Sequence, residues 1–204
     1  MYNKPSKKLI LTQIFVIFIL PVAVLYFKIL SPNWRMVLLA VSSLFIYGII
    51  KHEHWTHEDM GLRHDNFKKA FPFYLFFTVL CIGVLFLIHS NVNMPDVNTK
   101  IFFIKTFAFF LPSSFFQEFA FRSFLIPRLK EIFESKYVIV FLNAFLFALI
   151  HIIYSNWGIS LPITFVSGIF FAWLYIKYPN LLLVSLSHSI LNLTAVLLGF
   201  FYIS

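Results

Sequence analysis

Apolar residues fill seven long runs of this chain, at residues 9–30, 35–50, 71–89, 101–126, 137–154, 158–176 and 181–202. A helix of roughly 20 apolar residues, rising about 1.5 Å each, crosses the hydrocarbon of a bilayer. The runs meet that length or approach it, with 35–50 the shortest. In lipid, backbone N–H and C=O groups have no water to bond, so each run is predicted as a helix. Periodicity inside the runs adds little, because lipid-facing and bundle-facing positions are both apolar. The pattern predicts an all-α fold: a polytopic transmembrane helix bundle of about seven spans. No internal repeat is evident.

The polar segments set the organisation. Residues 1–99 hold three spans and the longest polar loop, 51–70; residues 100–204 hold the other four. The amino terminus begins with basic residues, as secretory signals do. Its apolar run is too long for a signal h-region and no A-x-A-like site follows, so a retained first span is expected. Trp55 and the basic residues of the 51–70 loop suit an interfacial loop or a short amphipathic helix. His52, His54, His57 and His64 in that loop offer nitrogen ligands. No Cys or tight carboxylate pattern accompanies them, so a solvated loop is the better reading than a metal site.

Composition agrees with the pattern. The 204 residues are 60% apolar and 12% charged, with 29 Phe and 6 Gly. A soluble domain is nearer 45–50% apolar and about 25% charged. The formal charge of +8 sits in short clusters between apolar runs, not on one stripe, which argues against a nucleic-acid partner and for the lipid bilayer. With the amino terminus inside, Lys4, Lys7, Lys8, Lys51, Arg63, Lys68, Lys69, Arg128, Lys130, Lys136 and Lys177 fall on the cytoplasmic side. Lys28, Arg35 and Lys100 fall opposite. That bias predicts the amino terminus in and the carboxyl terminus out. Cys81 is the single cysteine, so no intrachain disulfide forms.

Of the eight acidic residues, Glu53, Glu58, Asp59, Asp65, Asp96, Glu131 and Glu134 fall in loops, while Glu118 lies deep in the fourth apolar run. An ionisable group at such depth costs a few kcal/mol or more, and faces a bundle interior or a wet cavity. Arg122, four residues on, shares its helix face in the favourable acid-before-base order. An internal ion pair that fixes packing would explain those two alone. His151 near the end of the fifth run, and His188 with Asn192 one turn later in the seventh, add polar groups on two further helices. Such groups seek each other inside a bundle.

A desolvated carboxylate suits general acid or base work near neutrality. A His beside it can share a water, and a second His with an Asn can hold an oxyanion. The set fits peptide hydrolysis by activated water, without a covalent intermediate. Glu118, His151 and His188 are also a conceivable zinc set, disfavoured because H-E-x-x-H spacing is missing. A proton-coupled transporter is a weaker reading, since no inverted repeat or broken helix pair is apparent.

The motifs QEFAFR (Gln117 to Arg122), FALIH (Phe147 to His151) and HSILN (His188 to Asn192) resemble, in order and spacing, EExxxR, FxxxH and HxxxN of the CPBP family. This CAAX-protease and bacteriocin-processing (Abi) family includes prenyl endopeptidases of the Rce1 type. The resemblance covers about residues 100–195. It implies a glutamate-dependent intramembrane endopeptidase with a four-span catalytic core, needing no cofactor, and acting on a membrane-associated peptide or protein. An older zinc-protease label would instead imply a bound ion. By position, His151 assists the water-activating Glu, and His188 and Asn192 form the oxyanion site; Gln117, Arg122 and Phe147 support them. The first Glu of the family pair is Gln117 here, and an amide is no general base. Three readings compete: Glu118 is the base, the favoured one, although it points about 100° away; position 117 is an inactivating substitution; or this member is non-catalytic, binding a peptide as in bacteriocin immunity. A bacterial or archaeal plasma membrane is the expected location.

Overall fold

The computed structural model describes residues 5–92 and 102–200, with side chains described in 5–92 and 110–200. Lys4, Asp96 and Lys100 of the charge reading, Ile101 at the start of the fourth run, and positions 201–202 at the end of the seventh, lie outside the described residues. Seven helices, and no strand, occur among the described residues. They are α1 (Lys7–Tyr26), α2 (Pro32–His52), α3 (Phe67–Asn91), α4 (residues 102–132), α5 (Lys136–Ile153), α6 (Trp157–Lys177) and α7 (Leu181–Leu197). Helices α1, α2, α3, α5 and α6 are long and apolar enough to cross a membrane, and α7 is apolar but shorter.

Two helices carry a π-helical stretch, and each stretch lies just before a proline. Proline has no N–H, and its ring crowds the carbonyl four residues earlier. In α1 the turns widen over Phe15–Ile19, just before Pro21; in α4 they widen over Phe119–Leu125, just before Pro127. The wider turn absorbs the lost bond without ending the helix. The fourth helix therefore runs on to Ile132, beyond the expected limit at 126. At the other extreme, α7 stops at Leu197, short of the expected 202. Gly199 (φ +77°) turns the chain back, with Phe200 N–H donating to Ala195 O at 2.8 Å.

Helix α7 is the hub, packed on α4 and α3, while α5 and α6 pair closely beside it. Phe124, Phe147, Phe171 and Leu181 are among the fully enclosed side chains of the core. Outward faces are also apolar: Leu44, Phe76 and Leu87 stand exposed, as lipid contact requires.

The loop between α2 and α3 is exposed along most of its length, its four histidines included, but it is anchored from beneath. Met60 and Gly61 are buried, and the Met60 carbonyl accepts from Ser123 Oγ (2.5 Å) and Tyr175 OH (3.1 Å). Asn180 joins the same loop, donating from Nδ2 to Arg63 O and to Asn66 Oδ1, each at 2.9 Å. Arg128, read as a loop charge, is instead buried and paired with Glu53 and Glu131. This stitching covers the α6–α7 turn. His188 lies about two turns from the start of α7, whereas His151 lies in the last turn of α5.

Candidate active site

Glu118 is fully enclosed at the end of the regular part of α4. Its Oε2 lies 3.1 Å from Arg122 Nε, and its Oε1 lies 2.7 Å from His188 Nδ1 on α7. Neither approach is aligned as a hydrogen bond, and Arg122 Nη1 and Nη2 meet no hydrogen-bond acceptor among the described residues. The guanidinium instead lies over the Phe147 ring, 4.3 Å from its centre, with Phe171 at 5.4 Å. Stacking on ring faces is worth up to about 2 kcal/mol for a desolvated cation.

Phe147 joins the rest. Its ring centre is 5.4 Å from that of His188 and 5.6 Å from that of His151, both edge-on. His151 sits where α5 tightens into a final 3-10 turn, Ile150–Ile153, and its Nδ1 is 3.1 Å from Phe147 O. A carbonyl only accepts, so Nδ1 carries the hydrogen, and whenever the ring is neutral the lone pair is on Nε2. Gly168 of α6 lets the helices close here: a Cβ would come within 3.0 Å of Phe147 Cδ1 and 3.2 Å of Ala144 Cα.

His151, His188 and Asn192 share the wall of one cavity of about 340 Å3 between α3, α6 and α7. The remainder of its lining is almost wholly apolar. Thr164 and Ser167 turn their hydroxyls back to carbonyls of α6, at 2.7 Å and 3.1 Å. Leu80 and Val84 of α3 and Val166 and Phe170 of α6 line it while exposed at the bundle surface, so it opens sideways between these helices. Asn192 Nδ2 donates to Ser114 Oγ at 3.1 Å, joining α7 to α4.

The polar residues singled out by sequence thus meet, but not on equal terms. Glu118 and Gln117 are not on the cavity wall. Glu118 stands behind His188, between it and Arg122, and half-buried Gln117 has its Oε1 without a partner among the described residues. Among the described residues no three His, Cys, Asp or Glu gather as a metal ligand set. That statement includes the His-rich loop.

Two residues that sequence reasoning passed over belong to this region. Ser114 is the partner of Asn192, and Asn143 donates from Nδ2 to Phe121 O at 2.6 Å. Asn143 lies two turns before His151 on the same face of α5, and that spacing was the available signal.

Fold and site together define a polytopic helical membrane protein with a Glu–Arg–His cluster buried beside an apolar cavity. The family model described as type II CAAX prenyl endopeptidase Rce1-like matches residues 99–194, the part that carries all three motifs. This segment is thus similar to a family of membrane proteases. The searches of curated proteins and of solved structures returned no match.

Proposed function

We propose that this protein is an intramembrane endopeptidase, cleaving a peptide bond presented beside an apolar anchor. The placement of His151, His188 and Asn192 on one laterally open cavity carries this reading. The cavity wall offers few hydrogen-bond partners, so an extended peptide backbone lying along it would leave polar groups unpaired at a cost of several kcal/mol. A hydrocarbon chain or aliphatic side chain suits that wall, with the scissile bond held at the histidine end.

In this scheme His151 Nε2 removes a proton from the attacking water. His188 and Asn192 hold the developing oxyanion, and the proton passes to the leaving amine. Glu118, flanked by Arg122 and His188, orients His188 rather than deprotonating the water itself. No metal takes part, and the setting is the plasma membrane of a bacterium or archaeon.

A second reading has its own support. Position 117 is an amide and Glu118 is enclosed, which suits a member that binds a peptide without cutting it. Purified full-length chain in lipid nanodiscs, given apolar-anchored peptides, separates the two. The hydrolase reading expects cleavage that His151→Ala abolishes, that a chelator leaves unchanged, and that Gln117→Glu raises. Peptide binding with no cleavage, in both the native chain and Gln117→Glu, overturns it in favour of the binding protein.

A further inference from the structure

Asn143 interrupts the apolar run VIVFLNAFLFAL, at a fully enclosed position where leucine would fill the space at no polar cost. Its amide reaches across to another helix. The acceptor, Phe121 O, lies inside the π-helical stretch of α4, between Glu118 and Arg122 in the chain. A single extra residue in a helical turn rotates everything beyond it by about 100°. The approach of Arg122 to Glu118 and its stacking on Phe147 therefore depend on where the wide turn is held. Phe147 and His151 follow Asn143 at four-residue intervals on α5, so the same bond sets their register against α4.

We propose that Asn143 is a positioning residue, whose amide fixes the wide turn of α4 and so holds Glu118, Arg122 and His188 in register with Phe147 and His151. Its kinetic consequence rests on the endopeptidase reading; its geometric consequence does not.

The test uses the full chain in nanodiscs, labelled with 15N-histidine. His151→Gln and His188→Gln assign the two ring signals. Asn143→Leu removes the donor at similar volume. Ile139→Ala, buried one turn earlier on the same helix, controls for destabilisation alone. Asn143→Leu moves both ring signals and lowers kcat about tenfold or more while KM changes little, as misplacement of a catalytic group does. Ile139→Ala, at an equal or greater loss of thermal stability, moves neither signal. Asn143→Ser, too short to span the same gap, gives the same readout if the leucine variant does not fold. Histidine signals that stay put when Asn143 is replaced, or that move equally in Ile139→Ala, overturn the proposal. If the native chain cleaves nothing, the hydrolase reading fails and the histidine spectra still decide this one.

Discussion

Two polar clusters inside this bundle are built on opposite terms. Beneath the 53–66 loop, bonds close on one another. Asn180 donates to two acceptors while its Oδ1 accepts from Leu183 N–H at 3.0 Å, Asn66 Nδ2 reaches Pro179 O at 2.8 Å, and both terminal nitrogens of Arg128 face carboxylates. Around Glu118 the reverse holds. Both of its oxygens, all three guanidinium nitrogens of Arg122 and Nδ1 of His188 lack an aligned hydrogen bond among the described residues. A buried polar network is stable only when every member is satisfied. The first cluster leaves only Arg128 Nε of these atoms without an aligned partner among the described residues and fastens the helices; the second retains far more unused capacity beside a cavity. Local rules are broken most often where a protein works.

The comparison breaks most sharply at Glu118. Glu118→Leu leaves Arg122 buried beside a ring face without its counter-charge, and removing one member of a buried pair costs about 3–5 kcal/mol. The double change Glu118→Leu with Arg122→Leu removes both charges and recovers most of that loss. Thermal unfolding in nanodiscs reads both. Cleavage is absent in the single and the double variant alike, because His188 has lost the group that orients it. A double variant that cleaves normally would reduce the pair to packing.

Gly61 offers the matching cut at the fastened end, with a smaller effect. Its φ of +72° is strained for any side chain, and a Cβ would fall 2.1 Å from Tyr175 Oη. Gly61→Ala must therefore displace Tyr175 or the loop, at about 1–3 kcal/mol. The expected result is a lower unfolding temperature and faster proteolysis of the 53–66 loop, with KM for an apolar-anchored peptide unchanged. Access from the side does not pass through that loop. A raised KM would show that the loop also shapes the substrate path.

Much of this was legible before the structure. Helices follow from apolar length, and the acid, arginine and histidines stand out because lipid makes polar residues expensive. The failures have physical causes. Pro127, Arg128, Lys130 and Glu131 read as the end of a span, yet the wide turn at Phe119–Leu125 carries α4 past the proline, and Glu53 neutralises Arg128. The loop's exposure shows in its charges, but its anchorage does not, because its partners Asn180 and Tyr175 lie more than a hundred residues away. Separation of that size leaves no trace in a local pattern. Burial favours Glu118 as the base; the indirect role proposed above draws on the placement of His188 between it and the cavity.

The smallest expected effect tests what fastens the loop. Arg63 Nε and Nη2 grip the exposed Asp65 carboxylate at 2.9 Å and 2.6 Å, while the Arg63 carbonyl takes the bond from Asn180. The Arg63 hydrogen bonds hold the Asp65 carboxyl below its ordinary value of 3.8, with charge attraction adding to them. A depressed carboxyl contributes stability that is fully present above 3.8 and is lost as pH falls through its folded value. Neutral pH thus lies on the side where the contribution is complete, yet water and salt screen a pair this exposed. Asp65→Asn should leave the unfolding temperature at pH 7 and the proteolysis of the loop indistinguishable from the native chain, at low and high salt alike. A clear loss at low salt that high salt removes would mean that side-chain charge holds the Arg63 backbone against Asn180. The fastened end would then depend on surface electrostatics rather than on its buried hydrogen bonds, and the contrast with the Glu118 cluster would narrow.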